Sequence, residues 1–260
     1  MLCVARRALG RILLETRAFR LERATGSVPA RIVLGNSPRA TRANSRMPSS
    51  TEILRNLTLI ANEAMALAIA WHAALTIGVA AVVAGWRPQA RTAGLVLAAP
   101  LASVSALAWV YQSWFNASVF AAAGATLAAI AVRLPAARVR FGARWQVMLG
   151  ASLVVFGWAY PHFLHAPAWA FLYAAPFGLI PCPTLSVVSG CSLAFAGFRS
   201  RAWSVAVGSL CAFYGAFGAF RMGVVIDLVL LAGALALLYS GSWAARSADS
   251  ELTEAATPGR

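Results

Sequence analysis

Between Leu57 and Ser240 the chain is a succession of apolar runs, most about 17–25 residues long, divided by short polar connections. The runs lie at 57–85, 93–111, 115–133, 145–163, 168–198, 203–220 and 223–240. An α-helix needs about 20 apolar residues to cross a hydrocarbon core of roughly 30 Å. The pattern therefore predicts an all-α fold: an integral membrane helical bundle of about seven transmembrane helices. A β-barrel would show alternating polarity over segments of about ten residues, and these runs do not alternate. Trp86, Trp109, Trp114, Trp145, Trp169, Trp203, Tyr239 and Trp243 fall near run ends, where interfacial aromatic belts belong.

The fifth run, 168–198, is too long. As one straight helix it would reach roughly 46 Å. It also contains "PFGLIPCPTLSVV" at 176–188, with Pro176, Pro181 and Pro183 around Cys182. Proline removes an N–H and clashes one turn back, so the span is expected to be broken at Pro181–Pro183. One arm, "AWAFLYAAPFGL", enters the membrane and the other, "TLSVVSGCSLAFAGF", leaves it, with Thr184 placed to cap the second arm. Free backbone groups at such a break need protein or a water-filled cavity around them, and transporters build midplane sites from them. A kink packed against small neighbours, with an inert thiol, is the plain alternative. The third and sixth runs, rich in Ala, Gly and Ser, are expected to be the central, tightly packed helices.

Composition sharpens the class. The chain has 260 residues, 60% hydrophobic and 12% charged, with a mean hydropathy of +0.70; soluble domains carry about 25% charged residues. The net charge of +14 does not indicate nucleic acid. Ten of the 22 basic residues lie in the first 46 positions, and most others stand at the ends of apolar runs. All are arginine, which with abundant Ala and Gly points to a GC-rich, bacterial coding sequence. Four cysteines, three of them in apolar runs, make no disulfide framework.

Arginine placement sets an expected orientation. Arg87 and Arg91 follow the first run, Arg133, Arg138, Arg140 and Arg144 the third, and Arg199 and Arg201 the fifth; Arg246 and Arg260 lie in the tail. The other connections hold only Arg221. The positive-inside rule then places the C-terminus in the cytoplasm and the N-terminus outside, in a bacterial inner membrane. The segment 1–46 reads as a transit peptide, a disordered or amphipathic surface arm, or wrongly translated upstream sequence. Ten arginines outside would violate the topology rule, whereas a start at Met47 leaves only Arg55, balanced by Glu52. The expected organisation is an extension at 1–46, a seven-helix domain at 47–243 and a short polar tail at 244–260.

Ionisable residues at membrane depth warrant a functional reading. Asn62, Glu63, Gln112, Asn116, His162, His165, Arg221 and Asp227 fall toward the outer side, and His72 deeper. Each also has a bland reading. Arg221 and Asp227 could form an interfacial ion pair, Glu63 could answer a helix dipole, His72 could bond a neighbouring helix, and Asn116 could be an N-cap. His162 and His165, three apart, could share a metal if helical, and Cys182 could add a soft thiolate for copper or zinc. "NLT" at 56–58 and "NAS" at 116–118 match the glycosylation pattern but lie too close to the membrane.

"YQSWFNASVFAAAG" at 111–124, "AYPHFL" at 159–164 and "PFGLIPCPTLSVVSG" at 176–190 resemble a family of small bacterial multi-pass membrane proteins, a domain of unknown function. Its members share an aromatic-Asn-x-x-Val-Phe opening to a middle span and a later Gly-x-Pro-Cys-Pro-Thr element. The resemblance covers roughly 55–240, the Pro-Cys-Pro-Thr element being its specific part, and departs only in Ile180 replacing Leu. It implies a seven-span protein without established activity and carries over Asn116, Tyr160, Pro161, Pro181, Cys182, Pro183 and Thr184.

The reading that follows is a small transporter or solute-binding permease-like protein. Its expected substrate-binding residues are Glu63, His72, Asn116, Tyr160, His162, Cys182, Thr184, Arg221 and Asp227; Cys182, His162 and His165 are the weak metal candidates. No cofactor is expected. Expected partners are the lipid bilayer, a small solute or metal ion, and further copies in a homo-oligomer, with no nucleic acid. The alternative is a non-catalytic membrane scaffold or assembly partner. A membrane enzyme ranks below both, because no nucleophile–base pair or phosphate loop is present. No ATP-binding motif is present either, so transport would be secondary or passive.

Overall fold

The computed structural model describes residues 49–255 along the backbone and 49–241 with their side chains. The extension expected at 1–46, the start at Met47 and the side chains of the tail expected at 244–260 lie outside the described residues. What is described is all-helical: α1 (Ser50–Glu63), α2 (Met65–Val83), α3 (Ala90–Val110), α4 (Trp114–Arg133), α5 (Arg144–Trp158), the single turn α6 (Phe171–Ala174), α7 (Pro181–Ala194), α8 (Arg201–Ala216) and α9 (Leu228–Ala255). Among the described residues four helices are long and apolar enough to cross a membrane: Met65–Val83, Ala90–Val110, Trp114–Arg133 and Arg201–Arg221. Val225–Gly241 is a shorter apolar helix, and α5 and α7 have 15 and 14 residues.

Neighbouring helices alternate in direction. The starts of α3, α5 and α8 and the ends of α4 and α7 border one cavity, together with the arginine-bearing loop 134–143. The starts of α4 and α7, the end of α8 and the turn before α9 border a second cavity. The two ends of the bundle are called here the arginine end and the Asp227 end.

The first apolar run is two helices, not one. Ser49 opens α1 with a reciprocal cap: its hydroxyl accepts from the Glu52 N–H at 3.3 Å, and its own N–H donates to Glu52 Oε2 at 2.7 Å. The helix breaks at Ala64 (φ −101°, ψ 22°). Both ends of α1 meet the Asp227 end: Ile53 and Leu57 border its cavity, Asn62 bonds Phe163, and Glu63 bonds Tyr111. The helix therefore lies across that end. Its polar residues, Glu52, Arg55, Asn56, Asn62 and Glu63, suit an interfacial position. The part of this run long and apolar enough to cross a membrane is α2, which buries only Ala68 and His72.

The fifth run departs further from expectation. Its entering arm is a 3₁₀ turn (Ala168–Ala170) and the four-residue α6, followed by a loop in which Ile180 N–H bonds Pro176 C=O and Gly178 takes φ +76°. Pro181 and Pro183 occupy the first turn of α7. There a missing N–H costs nothing, because those groups have no intrahelical partner. The prolines start a helix instead of kinking one. Ile180, not Thr184, is the N-cap. Thr184 sits one turn inside, where its hydroxyl donates to Ile180 C=O at 2.7 Å and accepts from Gly178 N–H at 2.9 Å, tying loop to helix.

The core is α7, eleven of whose fourteen residues are buried, rather than α4, which buries five. Between helices in lipid there is little hydrophobic drive, so small residues that allow close contact dominate. A Cβ on Gly150 of α5 would stand 2.5 Å from Gly190 C=O, and one on Gly157 would stand 2.6 Å from Pro183 C=O. The α5–α7 contact is thus backbone against backbone. The serines of α7 are all satisfied: Ser186 donates to Leu153 C=O at 2.7 Å, Ser192 to Val188 C=O at 2.7 Å, and Trp203 Nε1–H donates to Ser192 Oγ at 2.9 Å. No buried side-chain N or O among the described residues lacks a partner.

After α7 the backbone runs left-handed for four residues: Ala196 (φ 53°), Gly197 (60°), Phe198 (54°) and Arg199 (55°). For residues other than glycine this costs about 1–2 kcal/mol each. Phe198 turns inward onto Trp203, ring centroids 5.0 Å apart, while Arg199 faces out.

Candidate functional site

The Asp227 end holds a cluster that begins with how α8 finishes. The helix does not stop at Ala216 but loosens into a π turn, Phe217–Arg221. Such turns are rare and frequent at functional sites. It brings Gly218 against the Asp227 carboxylate so closely that a Cβ there would occupy the place of Oδ2. Asp227 closes a 3₁₀ turn, Val225–Asp227, that leads into α9. It is 2% exposed.

Two donors reach this carboxylate from elsewhere in the chain. The Tyr160 hydroxyl donates to Oδ1 at 2.7 Å and the Cys182 thiol to Oδ2 at 3.1 Å. Tyr160 lies just after α5, and Cys182 is the second residue of α7. Beside them Tyr214 of α8 donates to Asn116 Oδ1 of α4 at 3.0 Å. Asn116 is therefore a buried acceptor inside α4, not its N-cap, which is Ser113.

A cavity of about 330 Å³ opens onto this cluster. Asp227, Cys182, Pro181, Gly218 and Asn116 form its inner wall, Trp114, Phe115 and Phe217 add aromatic surface, and α1 covers it through Ile53 and Leu57. Its polar wall atoms converge in a mostly apolar enclosure, the usual composition of a small-molecule site. Among the described residues Asp227 is the one acid bordering it.

Of the other expected site residues, His162 lies near enough to act electrostatically on Asp227 and packs on Phe163 of the cavity wall; the rest lie away from this cavity. Glu63 ends α1 instead of beginning a helix, and its carboxylate accepts from Tyr111 at 2.7 Å. His72 is buried, with Nδ1 2.9 Å from Ala68 C=O and Nε2 2.9 Å from Trp158 C=O, so it joins α2 to the end of α5. Thr184 secures the loop before α7. Arg221 is exposed, and Asp227 turns inward to Tyr160 and Cys182 instead of pairing with it. His162 and His165 lie in a non-helical connection, where three-residue spacing does not set both rings on one face. The His165 backbone N–H is held by Asn62 Oδ1 at 2.8 Å. Among the described residues no group of three or more His, Cys, Asp and Glu is close enough to hold a metal ion.

Gly218 and Tyr214 escaped the sequence reading as site residues. The signal was present in "GAFGAF" at 215–220, two glycines that let the chain near Asp227 approach: a Cβ on Gly215 would stand 3.1 Å from Asp227 C=O. No family model, no curated protein and no solved structure matches the chain.

Proposed function

We propose that this chain is a seven-span membrane protein that binds a small amine- or cation-bearing solute at Asp227, as a transporter or permease-like solute-binding protein. One observation carries the reading: a mostly apolar cavity, whose other polar side chains Asn56, Gln112, Ser113, Asn116 and Tyr214 are uncharged, reaches a carboxylate to which Tyr160 and Cys182 both donate. The enclosure favours positive charge through Asp227 and through the ring faces of Trp114 and Phe115. A volume of about 330 Å³ suits a molecule of amino-acid size. On this reading α5 and α7 complete the membrane crossing with their flanking turns, the arginine end faces the cytoplasm, and α1 lies on the outer surface. Membership of the Pro-Cys-Pro-Thr family is part of the same proposal, since Asn116, Pro181 and Cys182 from its shared stretches border the cavity.

The test uses Cys182 as reporter in a chain carrying Cys3→Ser, Cys191→Ala and Cys211→Ala, in membrane vesicles of both orientations. A cationic methanethiosulfonate should label Cys182 faster than an anionic one, from the Asp227 side only, and Asp227→Asn should erase that preference. A Cys182 that reacts only after denaturation, or with no charge preference, refutes the site.

A second reading, a membrane scaffold, draws on α2, which exposes Ile69, Ile77, Val79 and Val83. Cysteine crosslinking at position 77 in membranes separates the two: a specific homodimer favours the scaffold, and none removes its basis.

A further inference from the structure

The arginine end carries a second cavity, larger than the first and opposite in charge. Its volume is about 910 Å³, and Arg133, Arg138, Arg140 and Arg199 line it with Gln146 and Ser200. Within residues 49–241 the acids are Glu52, Glu63 and Asp227, all at the other end of the bundle. No described residue accepts from the guanidinium groups of these four arginines, whereas two others at this end, Arg87 and Arg91, are engaged. Arg87 donates to Val82 C=O at 2.7 Å and lies 4.4 Å over the Phe141 ring, and Arg91 donates to Leu134 C=O at 3.4 Å.

The backbone around the cavity is held firmly. The 134–143 loop is pinned to the start of α3 by Ala90 N–H to Ala137 C=O at 2.9 Å and Val139 N–H to Pro88 C=O at 2.8 Å. Gly142 N–H bonds Ala194 C=O at 2.9 Å. The left-handed turn 196–199 forms the facing wall. Strain of this kind persists where surrounding structure enforces it and clusters at ligand sites. Here it buries Phe198 while leaving Arg199 on the rim. Topology alone asks only that arginines lie on one side of the membrane. It does not ask that four line one cavity with no acid among residues 49–241 beside them.

We propose that this cavity binds a phosphate group, held by Arg133, Arg138, Arg140 and Arg199 in the forked geometry that guanidinium offers to phosphate oxygens. The phosphate belongs either to an anionic lipid headgroup of the same leaflet or to a soluble phosphate compound; basic cavities between membrane helices are known headgroup sites.

The experiment is a thermal melt of the purified detergent-solubilised chain with three probes at matched ionic strength: sodium phosphate, short-chain phosphatidylglycerol and short-chain phosphatidylcholine. Saturable stabilisation by phosphatidylglycerol well below the phosphate concentration needed identifies a lipid headgroup. Stabilisation by phosphate and not by phosphatidylglycerol identifies a soluble anion. Either supports the site if Arg138→Gln with Arg140→Gln weakens it about tenfold per arginine removed, while Arg55→Gln with Arg221→Gln leaves it unchanged. Both substituted pairs are exposed, and their melts without probe should match wild type. No stabilisation beyond chloride, equal stabilisation by phosphatidylcholine, or an effect insensitive to Arg138 and Arg140 overturns the proposal.

Discussion

Replacing Gly190 with alanine should destabilise the bundle, although the same substitution in a helix is ordinarily favourable. Gly190 lies mid-way along α7. A Cβ there would stand 2.5 Å from Gly150 C=O and 2.9 Å from both the N and Cγ2 of Val154. Relaxed carbon–oxygen contacts lie near 3.3–3.6 Å, so α5 and α7 must part by about 1 Å at this point. A gap of that size forfeits roughly a quarter to a half of the local dispersion energy, and overpacked contacts cost about 1–3 kcal/mol. The backbone gain from Gly to Ala returns about 0.5–1 kcal/mol. The net loss is about 1–2 kcal/mol, a fall in melting temperature of about 2–8 °C for a domain of this size. Gly78→Ala is the paired control. Gly78 lies inside α2, more than a turn from its end, with nothing within 4 Å of its Cβ position, so only the backbone gain applies and melting should rise by about 1–4 °C. Tryptophan fluorescence melts of the two purified variants decide the matter. If both shift in the same direction, or if Gly190→Ala melts within about a degree of wild type, close backbone contact is not what holds α5 to α7.

Tyr160→Phe keeps the ring but removes the donor to Asp227 Oδ1; the same melt should show a loss of about 1–3 kcal/mol. Gly218→Ala drives a methyl into the Asp227 carboxylate and should abolish charge-selective labelling of Cys182 while the melt changes less; labelling equal to wild type would contradict the geometry. Trp203 is fully buried and bonds Ser192, so Trp203→Ala should cost about 3–5 kcal/mol, seen as loss of folded protein after solubilisation. At the start of α1, the Ser49 backbone N–H and then its hydroxyl hold the Glu52 carboxyl below its usual 4.5. Because the folded value is depressed, the cap is fully present above 4.5 and is lost as pH falls through the lower folded value. A spin label at Thr51 should gain mobility over that acid range in wild type, stay ordered without a pH step in Glu52→Gln, whose amide oxygen still accepts from the Ser49 N–H, and be already mobile in Glu52→Ala.

Hydrophobic run lengths made the helices at 93–111, 115–133 and 203–220 legible, because a segment about 20 residues long and apolar throughout has few alternatives to a helix. The segregation of Asp227, Asn116 and Cys182 from most of the arginines, Arg55 and Arg221 excepted, was legible in the same way. Run length misread two places. At Ala64 no proline or glycine announces the break, and only Asn62 and Glu63 interrupt the apolar residues there, so α1 and α2 merged into one. At Pro181 the prolines were read as interrupting a helix, since sequence alone does not say on which side of a proline the helix lies.

The sequence by itself determined that the described chain is helical and apolar, and that most of its arginines stand in the connections opposite Glu52, Glu63 and Asp227, because those properties follow from residue type and spacing. Only the tertiary structure decided that Tyr160, Cys182 and Asp227, separated by 67 residues from first to last, meet at one cavity. Their meeting depends on glycines that let backbones touch and on a π turn at Phe217–Arg221. Contacts of that kind depend on the shapes of several helices at once, which a one-dimensional pattern does not encode.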